Sequence, residues 1–250
     1  TSTLEAGLDV KSMAETSTKV FILEVMGRHA GWIAASSCLA ATKAGDPPHI
    51  ILLPEVPFEK SKFISQVKQT VKKNGYCVII ASEGTQTKSG KFLADSGLTD
   101  AFGHKQLGGV APVLASMISK MGLKNHWAVA DYLQRSARHI SSKTDLDQAY
   151  AVGAHAVKLA IAGKTAIMPI IKRLSDSPYK WKIETASLKN VANVEKTMPK
   201  KFISANGFEI TAAGKKYLRP LIQGEASTKY KNGIPEVAEL KKVLVQKKVS

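Results

Sequence analysis

Short, nearly continuous apolar runs alternate with stretches of helical periodicity over the first 171 residues. The runs Val20–Val25, Ile50–Val56, Tyr76–Ser82, Trp127–Tyr132 and Thr165–Ile171 are rich in β-branched and aromatic residues, as strands buried on both faces require. Between them, Gly31–Lys43, Glu59–Lys73, Gly109–Met121 and Asp145–Ala162 read as helices. In the last of these, Ala149, Val152, Ala156, Leu159 and Ala160 repeat at helical spacing. Asp145 and Asp147 suit its positive end, and Gly163 is a C-terminal stop. This order predicts an α/β protein with a doubly wound, mostly parallel sheet of Rossmann-like layers. Residues 84–90 read as a polar loop or hairpin, and 100–109 lead into the third helix. Beyond residue 171 the pattern changes. Tyr179–Ser187 alternates apolar and polar positions like an antiparallel edge strand, and Leu240, Val243 and Leu244 lie at helical spacing in a lysine-rich tail. The expected division is an α/β region over 1–171 and a C-terminal α+β extension over 172–250 that packs on it.

Composition narrows the class. An apolar fraction of 44% and a charged fraction of 22% are ordinary for a globular chain of 250 residues. No run approaches the roughly 18 to 20 apolar residues of a membrane span. The first residues, Thr1 to Ala6, lack the basic and apolar regions of a secretion signal, and no initiator Met is present, so the chain reads as starting inside a longer protein. Cys38 and Cys77 both lie in apolar segments, which fits buried free thiols in a cytoplasmic protein. No Cys/His cluster has zinc-ligand spacing. The formal net charge of +16 is uneven: residues 1–150 hold 17 Lys and Arg against 13 Asp and Glu, and the last 100 hold 19 against 7. The excess is dispersed lysine without an RNA-binding aromatic motif or a helix-turn-helix pattern. A solvated basic surface that draws in anions is the reading preferred over a nucleic-acid face.

In doubly wound sheets, ligands bind beyond the carboxyl ends of the strands. Those ends here carry Met26-Gly27-Arg28, Ser82-Glu83-Gly84 and Asp131-Tyr132 followed by Leu133-Gln134-Arg135. A strand that breaks at Gly27, presents Arg28 and re-enters a helix at Gly31 has the form of an anion cradle. The glycine admits a close approach of the backbone, and the helix start offers free amides. Arginines hold phosphate and a carboxylate accepts sugar hydroxyls, so these ends together describe a sugar-phosphate site. Plainer readings stand beside this one: Glu83 as a solvated turn residue, Arg135 and Arg138 as surface arginines, Tyr132 as a ring capping the sheet. Glu24, inside an apolar strand, reads as a buried paired carboxylate. His29, His104, His139 and His155 have no Ser or Cys partner at a recognisable spacing.

Taken together, these strings resemble the phosphofructokinase family. Glu24-Val-Met-Gly-Arg-His-Ala-Gly-Trp32 is similar to the family's fructose 6-phosphate loop, Pro54-Glu55-Val56 to its following strand end, and Ser82-Glu83-Gly84 to its next substrate element. Tyr132-Leu-Gln-Arg135 resembles the Tyr-x-x-Arg motif of the pyrophosphate-dependent branch. The nucleotide-dependent bacterial branch more often carries His-x-x-Arg-Gly-Gly, and Ser136-Ala137 replace those glycines here. The resemblance runs in order from about Thr1 to Ile171.

It implies a phosphotransferase that converts fructose 6-phosphate and pyrophosphate to fructose 1,6-bisphosphate and phosphate, with magnesium as cofactor. Met26, Gly27 and Arg28 would contact the sugar phosphate, with Arg28 also neutralising the phosphoryl group in flight as the catalytic residue of this chain. Glu83 would accept sugar hydroxyls, and Tyr132, Leu133, Gln134 and Arg135 would hold the 6-phosphate end. Lys19, seven residues before Met26, matches a basic residue that in the family reaches the site of a neighbouring subunit, which implies a homo-oligomer. The second such position, six residues before Tyr132, is His126 rather than arginine, with Lys124 nearby. The family's Gly-Gly donor loop and Thr-Ile-Asp-Asn-Asp segment, with the base and the magnesium ligands, precede the matched region and do not occur in these residues. The chain is therefore expected to hold the sugar side of the site without the donor side, and no metal ligands. A nucleotide-dependent kinase and a non-catalytic regulatory subunit remain the alternatives.

Overall fold

The computed structural model describes residues 1–99, 105–107 and 109–245. In chain order the first half holds α1 (Ser2–Met13), β1 (Val20–Val25), α2 (Trp32–Ser36), β2 (Ile50–Leu52), α3 (Lys60–Asn74) and β3 (Cys77–Ser82). A short antiparallel pair, β4 (Asp95–Thr99) and β5 (Lys105–Leu107), precedes α4 (Val110–Ser119), β6 (Asn125–Val129), α5 (Leu133–Ser136) and α6 (Lys143–Ile161). Then come β7 (Ile167–Asp176), β8 (Tyr179–Ser187), α7 (Leu188–Val191), α8 (Ala212–Leu218), β9 (Tyr230–Lys231) and β10 (Ile234–Pro235).

The continuous apolar runs form one parallel four-stranded sheet in the order β2-β3-β1-β6. Every residue of β2 and β3 is buried, because helices cover both faces. On one face, Val20 and Ile22 of β1 meet Phe63 and Val67 of α3 and Leu114 and Ile118 of α4. On the other, Val78 and Ile80 of β3 meet Val10 of α1 and Ala34 and Ala35 of α2, together with Met198, Phe202, Ile210 and Leu218 from the C-terminal part. The anticipated doubly wound α/β sheet is therefore the observed one.

Several elements differ from their sequence reading, each for a local reason. The helix expected over Gly31–Lys43 stops early. α2 is five residues long and gives way to a 3-10 turn at Ser37–Ala40. The Ser36 and Ser37 hydroxyls donate back to the carbonyls of Ile33 and Ala34 (2.7 and 2.5 Å), a competition that weakens helices. The strand expected over Ile50–Val56 ends at Leu52, where Pro54 offers no amide and Val56 N turns back to Leu53 O at 3.2 Å. The strand expected over Trp127–Tyr132 is Asn125–Val129, since Asp131 takes φ +39° and Tyr132 is already helical.

The largest departure is Thr165–Ile171. Its strand, β7, joins no parallel sheet; it pairs antiparallel with β8 in a separate two-stranded ribbon. Met168, Ile171 and Leu174 lie exposed on it, and Lys172 and Arg173 extend it beyond the apolar run. A boundary at 171/172 falls inside this strand. The tail around Leu240, Val243 and Leu244 forms no helix over its described part, to residue 245. Its apolar side chains are exposed, with no face to bury against. α1, not anticipated, buries Val10 against the sheet. Of residues 100–109, 100–104 and 108 lie outside the described residues, and α4 begins at Val110.

Two buried polar groups hold the sheet's ends. Glu24, near the carboxyl end of β1 and 1% exposed, accepts from Gly109 N (3.0 Å) and Ala111 N (2.7 Å) at the start of α4. Burial raises its pKa, the two amides lower it, and Glu83 and Asp131 raise it further. The paired carboxylate expected at Glu24 is thus paired with helix amides rather than with a cation. At the opposite end, His49 Nδ1 accepts from Val78 N (3.0 Å) and Nε2 donates to Gly45 O (3.2 Å), so the neutral ring continues the β2–β3 ladder. Burial lowers its pKa.

Replacing Glu24 with Ala leaves two buried amides without acceptors. The expected loss is roughly 2–4 kcal/mol in urea denaturation, with Glu24→Gln, which keeps one acceptor, intermediate. An unchanged midpoint in Glu24→Ala would remove Glu24 from this role. For His49, the folded pKa lies below the ordinary value of about 6.5, so its stabilisation is present above that pH and fades as pH falls through the lowered value. Stability measured from about pH 7 downward is expected to drop less steeply in His49→Gln than in the wild type.

Candidate sugar-phosphate site

Parallel register brings the strand ends level. Val25 pairs with Ser82 and Glu24 with Val129, while Leu52 pairs with Ala81. The segments that follow, 26–28, 83–84, 130–135 and 53–55, therefore leave the sheet along one edge, with neighbouring strands about 4.8 Å apart. Met26, Gly27, Arg28, Glu83, Tyr132, Leu133, Gln134 and Arg135 all belong to this edge.

The loop after β1 is held by side chains. Met26 N donates to Gln134 Oε1 at 3.1 Å, and Gly27 N to Glu83 Oε1 at 3.2 Å. Ser82 Oγ donates to Gly27 O at 2.6 Å. Glu83 N continues the ladder to Val25 O at 2.9 Å. Gly27 has φ +144°, a region closed to most L-residues. Gly84 lies directly against the loop: a Cβ there would stand 1.6 Å from Arg28 O and 2.7 Å from Gly27 O. These two glycines permit the close approach that places Arg28 over the end of β3.

Across the edge, Tyr132 is two-thirds exposed and Arg135 Cζ stands 5.0 Å from its ring centroid, a cation–π contact. Leu133 is exposed. The positive φ of Asp131 is a strained conformation for a non-glycine residue, and it swings Tyr132-Leu-Gln-Arg135 over the sheet edge.

The structure alters the expected roles. Gln134 and Glu83, read as ligand contacts, each spend an oxygen on the backbone of the arginine loop; Glu83 keeps Oε2 beyond that contact. The free amides expected at the start of α2 are not all free. Gly31 N donates to both oxygens of Glu55, at 3.0 and 3.2 Å, and α2 has only five residues. Arg28 and Arg135, rather than a helix terminus, carry the positive charge of this edge. Lys19 does not join it. It precedes β1 at the opposite end of the sheet, where its Nζ donates to Ala14 O. Arg138 donates to Ala226 O at 2.7 Å, which ties the turn after α5 to the chain's last part. Glu55, named in the sequence only within a string resembling a strand end, takes on a holding role that the sequence did not show, because its contacts to Gly31 and Met198 join segments 24 and 143 residues apart.

Other chemistry finds little support. Cys38 and Cys77 are free and buried, and desolvation pushes the Cys38 thiol up to about 11 and that of Cys77 higher still. Neither is a poised nucleophile. A cleft of about 400 Å³ lies at the amino end of the sheet, lined among others by Lys43, His49, Lys73 and Lys215, away from the strand-end residues. Among the described residues no group of three or more His, Cys, Asp or Glu could hold a metal ion. Glu24 and Glu55 spend both oxygens on amides and Glu83 spends one, so no cluster of free carboxylates fit to hold magnesium lies at this edge among the described residues.

Fold and edge together define an α/β protein with two arginines and a carboxylate on the segments that follow the carboxyl ends of its parallel strands. The chain belongs to the phosphofructokinase family, whose pattern, described as Phosphofructokinase, it matches over residues 2–160. It is 60% identical, over its full length, to the pyrophosphate–fructose 6-phosphate 1-phosphotransferase of Halomonas elongata, and 54% identical to that of Methylococcus capsulatus. It spans 60% of the length of each of these relatives. The crystal structure of a pyrophosphate-dependent phosphofructokinase from Marinobacter aquaeolei matches all of this chain and 59% of that one, with a TM-score of 0.86 at 54% identity.

Gly84→Ala tests the close approach. A methyl group cannot share space with Arg28 O, so the loop must shift, at an expected cost of about 2–3 kcal/mol or more. Wild-type stability in urea denaturation would rule out this packing.

Proposed function

We propose that the intact protein carrying this chain transfers a phosphoryl group from pyrophosphate to the 1-hydroxyl of fructose 6-phosphate. The observation that carries the reading is the convergence of Met26-Gly27-Arg28, Glu83 and Tyr132/Arg135 on one sheet edge, supported by relatives whose names state that activity. Met26 and Gly27 face the sugar phosphate, Glu83 accepts a sugar hydroxyl through its uncommitted oxygen, and Tyr132, Leu133, Gln134 and Arg135 form the 6-phosphate end. The sugar oxygen attacks the terminal phosphorus, the P–O–P bond breaks, and phosphate leaves. Such transfers depend on positioning and on neutralising charge spread over the phosphoryl oxygens. Arg28 supplies that neutralisation as a planar, permanent cation.

By the family resemblance, the base for the sugar hydroxyl and the donor-binding groups belong to sequence preceding this region. Magnesium would neutralise donor charge there. Residues 172–250 form the proposed extension, and Met198 to Leu218 seat it on the core. Lys19, at the far end of β1, serves a substrate only across a subunit contact, so a homo-oligomer is part of the proposal. The protein is placed in the cytoplasm, which two free thiols suit. No described helix is long and apolar enough to cross a membrane. The dispersed lysines are assigned to solvent rather than to nucleic acid.

In the full-length protein, Arg28→Ala is expected to lower turnover by about 100- to 1,000-fold with the fold retained. A coupled assay with pyrophosphate or ATP as donor measures this and identifies the donor in one experiment. Near-normal turnover in Arg28→Ala removes its assigned role, and ATP-only activity replaces pyrophosphate with a nucleotide.

A further inference from the structure

The Arg28 loop is gripped from two sides. Residues 26 and 27 are held from the sheet by Gln134, Glu83 and Ser82. Residues 29 to 32 are held by groups that play no part in the proposed chemistry. Glu55, after β2, accepts from Gly31 N through both oxygens (3.0 and 3.2 Å) and from Met198 N through Oε1 at 2.8 Å. Two further contacts join the same partners: His29 Nδ1 to Glu195 Oε1 at 2.5 Å, and Trp32 Nε1 donating to Lys196 O at 2.7 Å. The Trp32 ring then packs against Phe202 and Tyr217, with centroids 6.2 and 5.6 Å away. The segment Glu195–Met198 is thus a strap over the outer half of the arginine loop, and one carboxylate joins loop, strand end and strap.

We infer that Glu55 is a positioning residue for Arg28, acting through the Gly31 amide and the 195–198 strap. The inference deepens the sugar-phosphate reading of the strand ends and rests on it. Without Glu55, two amides lose their acceptor, and the outer half of the loop keeps no backbone anchor of its own, only side-chain contacts: the half-exposed His29–Glu195 pair, the His29 stack on Phe92 and the Trp32 contacts with Lys196, Phe202 and Tyr217. An exposed ion pair contributes little. Arg28 lies between the two halves, so releasing the outer one widens the range of guanidinium positions. Displacements near 1 Å at a reacting phosphoryl group cost about 100-fold in rate.

The test uses the full-length protein with Glu55→Ala, Glu55→Gln and Glu195→Gln. In Glu55→Ala, kcat/KM for fructose 6-phosphate is expected to fall about 10- to 100-fold while KM for pyrophosphate stays within about twofold. Glu55→Gln, which retains an amide acceptor, recovers most of the loss, and Glu195→Gln raises KM for the sugar about threefold. Equal rises in both KM values, or no rescue by Gln, assign Glu55 a general structural role and overturn the inference. Amide hydrogen exchange supplies a readout free of activity: the peptide over 26–32 exchanges faster in Glu55→Ala while 77–82 is unchanged. Unchanged exchange over 26–32 overturns the inference even if the wild type turns over its sugar phosphate normally. A wild type without sugar-phosphate activity overturns the functional reading instead, and the exchange result still decides the role of Glu55.

Discussion

A carboxylate inside the sheet sets the geometry on which the ligand edge depends. Glu24 sits on the central strand at a position that would otherwise be apolar, and it is almost wholly buried. Its oxygens take the first amides of α4, and its own carbonyl accepts Ala130 N at 2.9 Å as β6 ends. One residue therefore joins β1, the start of α4 and the exit of β6. Burying a carboxylate is unfavourable unless charge-assisted hydrogen bonds offset it, and two helix amides do so here. The arrangement is directional, which apolar packing is not. It specifies how far β1 runs before Met26 leaves the sheet.

From that starting point the site is built by side chains that serve the backbone. Gln134 and Glu83 take the amides of Met26 and Gly27, and Glu55 takes that of Gly31. The loop after β1 is thus nearly encircled by acceptors. These bonds fix the backbone of the loop that carries Arg28, and the cost of ordering it is met during folding. They also explain why a short, five-residue α2 suffices. The positive charge is carried by guanidinium groups, and the helix start is used for anchoring.

The C-terminal part contributes more to the site than its composition suggests. Its lysines are dispersed, and the tail beyond Pro235 lies exposed over its described length. Yet Met198, Phe202, Ile210 and Leu218 complete one face of the sheet, and Glu195 to Met198 cross the arginine loop. A segment far along the chain thus reaches back to residues 29 to 32, and its charge and its packing have separate roles.

The alternation of apolar runs and helical stretches made the α/β class legible, because burial on both faces leaves a local signature in β1, β2 and β3. The Met26-Gly27-Arg28 string, the Ser82-Glu83-Gly84 turn and the Tyr132-x-x-Arg135 spacing were legible for the same reason: each is short and contiguous. Strand ends were less so. Asp131 leaves the strand by a positive φ, and Pro54 stops β2, effects of one residue that an apolar run masks. β7 looked like a buried strand because Ile167 to Ile171 is apolar, but its partner is β8, and pairing is not written in either strand alone. The sequence by itself thus determined the class of fold and the family. Only the tertiary structure decided that Glu83, Gln134 and Glu55 hold the backbone, that Lys19 lies at the other end of the sheet, and that residues 195–198 cross the loop. Hydrogen bonds between residues from 24 to 143 positions apart depend on where the folded chain brings their atoms, and no local pattern encodes that.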